Sequence, residues 1–346
     1  MATLLSRDQF RDAVFARDKH KCVICGAAAQ DAHHIIERRL FPDGGYYLDN
    51  GASLCGQHHI EAEQTVLSTD AIRVQAGITT CVLPPHLYRD QEYDKWGNPV
   101  MGNGTRLKGD LFFDESVQKV LRDGGVLSLF VSHVKFPRTY HLPWSPGLTK
   151  DDRQMVSPDP FQGQEVIATV KMDGENTSIY RDGVHARSLI YEPHPSRNWV
   201  KVVWGRISHE IPEGWRICGE NLWAEHSIPY KNLEDYFLVF QIWNERNVCL
   251  SWEETKEWST LLDLRTVPTL YEGVGDRKNI ENLYTPTFNN DPNEGYVVRL
   301  KTSFPYSEYR KAVGKYVRAN HVQTHGHWMR QMVKPNELMQ KSSSQQ

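Results

Sequence analysis

The chain of 346 residues has no apolar run of twenty residues and no basic-then-apolar leader, so nothing in it reads as a membrane span or a secretion signal. These absences predict a soluble, cytoplasmic protein. Net charge is only −3, so the composition announces no nucleic-acid partner. Any basic surface must be local, and the stretch from Arg299 to Lys334 supplies one. It carries Arg299, Lys301, Arg310, Lys311, Lys315, Arg318, Arg330 and Lys334 against the single acid Glu308. Such a run is ordinarily a solvated helix face. Cysteine is scarce as well, at six residues, and their uneven spacing excludes a disulfide framework. What they do form is a pair of knuckles: Cys22-Val23-Ile24-Cys25 is answered by Cys55-Gly56-Gln57-His58. Two pairs with the same gap suit a closed tetrahedral zinc site, whereas a redox Cys-x-x-Cys would not need the second pair. Cys81, Cys218 and Cys249 read as ordinary buried thiols.

A second feature is a lysine at a strand exit. Glu165-Val166-Ile167-Ala168-Thr169-Val170 has the β-branched alternation of a strand, which delivers Lys171 to its end and makes Asp173-Gly174 the turn. An amine held there is a candidate nucleophile once its proton is removed. An Asp-Gly pair is also an ordinary hairpin turn. Downstream lie a hairpin turning at Asp182-Gly183, then Arg187-Ser188, Gly219-Glu220-Asn221, the apolar strand Tyr236 to Trp243, Glu294-Gly295-Tyr296-Val297-Val298-Arg299, and Lys311 to Arg318.

This order of motifs resembles the covalent nucleotidyltransferase superfamily, and its details are most similar to the RNA ligase branch, over about residues 130 to 330. The resemblance implies that Lys171 attacks the α-phosphate of ATP to give a lysyl-AMP, that AMP passes to a 5′-phosphate end, and that a 3′-hydroxyl displaces it. It implies Glu220 on the ribose or a metal-bound water and Glu294 working through the metal or on Lys171. Arg187 and Lys315 would contact the α-phosphate and help to keep Lys171 deprotonated. Phe240 would be the adenine platform. Val170, Asp173, Gly174, Asn176 and Arg299 would complete the pocket, with Lys311 and Arg318 as further phosphate contacts. Lys315 is followed by Val317 and Arg318, where the family commonly has a second lysine one residue on. ATP and Mg²⁺, or Mn²⁺, are the implied cofactors. The proline-rich segment Lys135 to Gly147 resembles one that runs over the nucleotide pocket in bacterial and phage RNA ligases, which would bring Arg138 or His141 near the triphosphate.

Between the two knuckles lie His33-His34 and Asn50, with His59 just after the second. This set is similar to an HNH, or ββα-metal, nuclease module. The resemblance implies metal ligands His33 and His59, a general base His34 and an orienting residue Asn50. Many members have Asp in place of His33 and Cys in place of His58. A zinc finger that binds nucleic acid without cutting it fits the same residues.

The remaining stretches are less specific. Glu61 to Val74 predicts a helix, Leu111-Phe112-Phe113 a strand, Asp114 to Leu121 an amphipathic helix, and Leu127 to Val131 a strand opening the ligase-like domain. Tyr88, Tyr93 and Trp96 would either stack on bases or fill a small core. About thirty residues follow Arg318, too few for an OB-fold, which favours the RNA ligase branch. The expected organisation is an α+β protein: a zinc-stabilised HNH-like module (1–75), a connector (76–128), an adenylation domain of antiparallel sheets with flanking helices (129–335), and a disordered tail (336–346). The expected function is ATP-dependent sealing of RNA or nicked RNA-containing duplexes, or of DNA. The alternatives are a metal-dependent HNH endonuclease whose ligase-like half positions nucleic acid, and a non-catalytic binding protein.

Overall fold

Ser6 and Gln9 form a reciprocal capping box that starts α1 (Arg7–Arg17) and turns Phe10 and Val14 inward. A computed structural model describes residues 3–157, 159–189, 194–321 and 333–339. These fall into two compact units that meet at Ser132 and His133. In the first, β1 (Asp31–His34) pairs antiparallel with β2 (Gly51–Leu54), setting His33 opposite Ala52 and His34 opposite Gly51. Gly51 has to be glycine, because a Cβ there would lie 2.5 Å from Val14 of α1. α2 (Gly56–Glu63) follows directly, and α3 (Thr69–Gln75) after a break. The single helix expected from Glu61 to Val74 is therefore two. Thr65 takes a left-handed φ of 59° at the break. Arg106 holds it there, donating to the Thr65 hydroxyl and, at 3.0 Å, to its carbonyl.

Residues 76–128 belong to this first unit and are not a connector. A small hairpin of β3 (Glu92–Tyr93) and β4 (Pro99–Val100) is followed by α4 (Glu115–Asp123), which Asp114 caps. The hairpin turn is tied to the helices: Trp96 Nε1 donates to the Glu63 carbonyl at 2.8 Å and Thr69 Oγ1 to the Tyr93 carbonyl at 2.7 Å. Tyr93 and Trp96 are buried, so they fill core. Leu111-Phe112-Phe113 is a turn, and Leu127–Leu129 a single 3-10 turn in the first unit, where strands were expected. Phe112 and Phe130 instead close on each other, ring centres 4.5 Å apart.

In the second unit the strands and helices run β5 (Tyr140–His141), β6 (Glu165–Lys171), β7 (Glu175–Tyr180), β8 (Val184–Ala186), α5 (Asn198–Ile207), β9 (Arg216–Asn221) and β10 (Phe237–Trp243). They continue with β11 (Val248–Cys249), α6 (Trp252–Leu261), β12 (Arg265–Thr266), β13 (Thr269–Val274), α7 (Arg277–Glu281), β14 (Thr287–Phe288) and β15 (Asp291–Pro292). β16 (Gly295–Leu300), β17 (Phe304–Pro305), α8 (Tyr309–Ala312) and β18 (Val313–Val317) complete the order. Two sheets result, one ordered β13-β6-β16-β18-β5 and the other β17-β11-β10-β9-β7-β8, with β12 beside β10. Neighbours are antiparallel except β18 with β5 and β10 with β12.

Alternation gives each sheet two apolar faces. On the outside of the larger sheet Ile179, Ile217 and Val239 pack under α5 through Val200, Val203 and Ile207. Outside the smaller sheet, Val166, Ala168, Tyr296 and Val298 pack on Leu142, Met155 and Phe161. The facing surfaces join Ile167 with Leu238 and Trp252, and Cys218 and Trp243 with Phe136 and Val313. Among the described residues no helix is long and apolar enough to cross a membrane.

The tail expected to be disordered from 336 returns to the second unit, as far as it is described. Pro335 bridges Ala224 and Leu338 bridges Leu233. Asn336 is buried, accepts from Tyr230 N at 2.8 Å and donates to the carbonyls of Leu222 and Ala224. Three backbone groups depend on that one amide. Asn336→Ala is expected to destabilise the second unit by about 1–3 kcal/mol, read as a lower denaturation midpoint, because buried partners are left unsatisfied. An unchanged midpoint would mean that the segment contributes nothing to folding.

Candidate functional site

The smaller sheet sets its motif residues in rows. Lys171 of β6 lies opposite Gly295 of β16, which lies opposite Val317 of β18. Two residues along, Thr169, Val297, Lys315 and His141 form the next row. Residues opposite one another share a face and the pattern repeats every second residue, so Lys171, Lys315 and His141 face the same way. Gly295 is required in the first row, since a Cβ there would meet the Tyr316 carbonyl at 1.9 Å. On the larger sheet Asn176 of β7 lies opposite Glu220 of β9, and the Oδ1 of Asn176 is buried without a partner. Phe240 sits where the β9–β10 ladder shifts register, a bulge that re-aims a side chain. It is partly exposed and stands edge-on to Phe136, centres 5.3 Å apart.

Lys171 Nζ lies 2.7 Å from Glu294 Oε1, and Glu294 is itself buried. Burial works to lower the lysine's pKa, but Glu294, Glu220 and Asp173 together raise it above the ordinary value. The cations expected to keep Lys171 neutral are therefore outweighed by these acids, and it is an ammonium. Burial pushes Glu220 the other way, up to about 8, helped by Glu294 and Asp173 and opposed by Lys171. The backbone N–H of Gly174 donates to Glu220 Oε1 at 3.2 Å. Gly174 lies so close to β9 that a Cβ would be 2.5 Å from the Asn221 carbonyl. Asp173 caps another loop with one oxygen, Oδ2 accepting from Ser227 N and Ile228 N at 2.8 Å each, which leaves Oδ1 towards His321.

A second polar group gathers around Lys315. Burial and the nearby Lys171 charge lower the pKa of Lys315, and its Nζ is 3.4 Å from Asp152 Oδ1. His141 Nε2 reaches the same oxygen at 3.4 Å, while its Nδ1 lies 2.8 Å from Ser145 Oγ. Burial takes His141 down to about 4, so it is neutral at physiological pH. Arg138 instead bonds the Asp151 carbonyl at the surface.

Other expected residues lie elsewhere. Arg299 does not complete the rim: it is buried, donates to the Leu250 carbonyl at 2.6 Å and stacks over Trp252 and Phe304. Arg187 is exposed just beyond the edge strand β8, and Lys311 is exposed on α8. Val170 is buried beside the lysine; Arg318 donates its N–H to the Glu294 carbonyl at 3.0 Å, tying the end of β18 to the acid. Arg330 lies outside the described residues. Sequence reasoning missed His321, whose Nε2 is 3.5 Å from Glu294 Oε1 and 3.9 Å from Asp173 Oδ1. No spacing marks it. Asp173, Glu294 and His321 each offer a ligand atom within 4.8 Å of the others. With Glu294 Oε2 and His321 Nδ1 buried and unpartnered, this donor set fits a divalent cation.

The first unit gathers two further groups. Cys22, Cys25, Cys55 and His58 converge, with Cys25 Sγ 3.8 Å from Cys55 Sγ and His58 Nδ1 3.5 and 3.2 Å from Cys22 and Cys55. Bonds of about 2.3 Å to sulfur in a tetrahedral ion set sulfur–sulfur edges of about 3.8 Å, so the donors fit zinc. Burial opposes ionisation of Cys22, but backbone hydrogen bonds from Cys25, Cys55 and Ile24 bring it down to about 6. His33, His59 and the unforeseen Glu63 form the second group. His34 is stacked on Phe10, centres 4.5 Å apart, and burial takes it down to about 4. Asn50 does not touch the His34 ring: it bonds the N–H and carbonyl of Ile36 and the carbonyl of Gly45, fixing the backbone beyond β1.

Glu220 gives the second unit a pH signature. Its folded pKa of about 8 lies above the ordinary 4.5, so unfolding releases a proton between those values. Its share of stability is whole below 4.5 and is lost as pH rises through about 8. Glu220→Gln, which keeps the neutral shape, is expected to flatten the fall in melting temperature across that window; an identical slope in parent and variant would refute the protonated assignment.

Residues 164–317 match the RNA ligase family model. No curated protein matches the chain. Solved structures that do match include a Naegleria gruberi RNA ligase mutant with ATP and Mn, at 20% identity over 53% of this chain and 56% of that one, TM-score 0.35. The same ligase with PPi matches at 18% identity over 53% and 57%, TM-score 0.36, and another mutant with AMP and Mn at 19% over 53% and 57%, TM-score 0.37. The chain thus spans little more than half the length of these ligases. The matched segment contains Lys171, Glu220, Glu294 and Lys315.

Proposed function

We propose that the protein is an ATP-dependent RNA ligase that joins a 3′-hydroxyl to a 5′-phosphate, in RNA or in a nicked RNA-containing duplex, through a lysyl-AMP at Lys171. The observation that carries this reading is a strand-end lysine 2.7 Å from a buried glutamate, with Glu220 and Lys315 close enough for their charges to act on that pair. A protein that only bound nucleic acid would have no use for an ammonium held against a buried glutamate, which costs solvation.

Reaction begins when Lys171 loses its proton, with Glu294 as the acceptor within reach. The freed Nζ attacks the α-phosphorus, the Pα–O bond to the β-phosphate breaks, and pyrophosphate leaves. Lys315 and the Nε2–H of His141 are placed to hold the negative charge that builds on the phosphate oxygens, once Asp152 gives way to them. A 5′-phosphate oxygen then takes the AMP from Lys171, and attack by the 3′-hydroxyl on that 5′-phosphate expels AMP. Adenine stacks on Phe240 at the bulge, and the ribose lies towards Glu220 and Asn176. Bound Mg²⁺ or Mn²⁺, held by Glu294 and Asp173 with His321, would neutralise the phosphates and favour ionised Glu220.

The first unit is read as an HNH-like module stabilised by zinc at Cys22, Cys25, Cys55 and His58, serving nucleic-acid binding or end processing. A nuclease reading rests on the His33, His59 and Glu63 group and the neutral, buried His34.

Incubation with ATP labelled on the α-phosphate is expected to leave label on the denatured chain, whereas γ-label leaves none. Lys171→Ala should remove the label and lower sealing roughly a thousandfold or more without unfolding; AMP transfer persisting in that variant sinks the mechanism. Removing zinc with a chelator, or Cys25→Ser, is expected to melt the first unit selectively. If zinc analysis finds no metal and the melt is unchanged, the cysteine group is not a zinc site.

A further inference from the structure

The His33, His59 and Glu63 group contains a cation that the protein supplies itself. Lys95, at the turn of the β3–β4 hairpin, is only 4% exposed. Its Nζ lies 3.1 Å from Glu63 Oε1, 3.1 Å from the His34 carbonyl and 3.4 Å from Glu37 Oε2. Glu63 Oε1 is also the oxygen nearest the imidazoles, 3.4 Å from His33 Nδ1 and 3.7 Å from His59 Nε2. One carboxylate oxygen is thus shared between an ammonium and two histidines.

The histidines are those of a ligand set. His33 is 2% exposed, its Nε2 has no hydrogen-bond partner and its Nδ1 has only the long contact with Glu63; His59 Nδ1, also buried, comes no nearer than 3.8 Å to Asp31 Oδ2. Buried imidazole nitrogens are seldom left in that state, because desolvation without a bond is costly. Two imidazoles and a carboxylate are donors for a first-row transition ion rather than for Mg²⁺. The lysine works against such an ion. A divalent cation bonded to Glu63 Oε1 would stand a few ångströms from Lys95 Nζ in a poorly solvated region, and like charges repel strongly there.

We propose that the metal affinity of the His33, His59 and Glu63 group, read above as the second metal site of the HNH-like module, is set by Lys95, the resident counter-cation that a metal ion must displace from Glu63. Lys95 is a positioning residue: it touches the would-be ligand and not the ion. Arg39 lies 3.1 Å from Glu37, so Glu37 keeps a cationic partner when Lys95 withdraws, and the exchange leaves no acid unpaired. The inference rests on the metal-site reading of this group and depends neither on the ligase reading nor on any cleavage activity.

The test is a Co²⁺ titration of the full chain, loaded with one equivalent of zinc and followed by visible absorption. Cobalt at the cysteines would announce itself by thiolate charge transfer; cobalt at the second group would not. Lys95→Met, similar in volume and uncharged, is expected to bind that cobalt at least tenfold more tightly than the parent. Lys95→Arg should not tighten it, and adding His59→Ala to Lys95→Met should abolish it. If Lys95→Met fails to fold, Lys95→Gln takes its place. Equal affinity in parent and uncharged variant, or cobalt binding that survives His59→Ala, overturns the proposal.

Discussion

The pairing of β6 with β16 is the constraint on which the second unit depends. One ladder brings the exit of the lysine strand beside the entry of the glutamate strand, leaving Lys171 and Glu294 2.7 Å apart, with Gly295 admitting the crowded backbone of β18. A slip of one residue would turn Lys171 towards Tyr296 and the outer core. The apolar residues on the opposite face, Ala168, Tyr296 and Val298, therefore fix the chemistry by fixing the register.

Each unit keeps a poorly solvated ammonium against a glutamate: Lys171 on Glu294, and Lys95 on Glu63. Neither arrangement is a cheap source of stability, since desolvating both charges offsets most of their attraction. Both are poised to change when something more strongly charged arrives. In the second unit, on the ligase reading, that would be the triphosphate and its cation, which would pull Lys315 from Asp152 and relieve Glu220 of its proton. In the first it would be a transition ion.

The proline-rich segment illustrates how the loop serves the sheet. Its two-residue strand β5 aligns His141 with Lys315, and Ser145 binds both His141 and the N–H of Val317. A histidine so pinned holds one orientation, which a flexible surface loop would not provide. The same segment supplies Leu142 to the outer core, so recognition and packing are not separable there.

Much was legible in the chain itself, because strand alternation and short-range spacing are local properties. The strand before Lys171, the Asp173-Gly174 turn, the Asp182-Gly183 hairpin, the α4 helix and the two knuckles all follow from neighbours within a few residues. The mistaken expectations share one cause, which is that long-range contacts overrode local preference. Arg106 breaks the predicted helix at Thr65, Trp96 and Tyr93 draw residues 76–128 into the first unit, and Asn336 recruits the tail. Arg299 looked like a phosphate ligand because its motif placed it near the site, but its guanidinium lies over Trp252 and Phe304. Which charge meets which is likewise a tertiary matter: nothing in the spacing of Lys95, Glu63, Asp152 or His321 reports a partner tens of residues away. The sequence by itself determined the kinds of chemistry available and their order along the chain. Only the folded sheets decided which side chains share a face, and hence which of those charges act on one another.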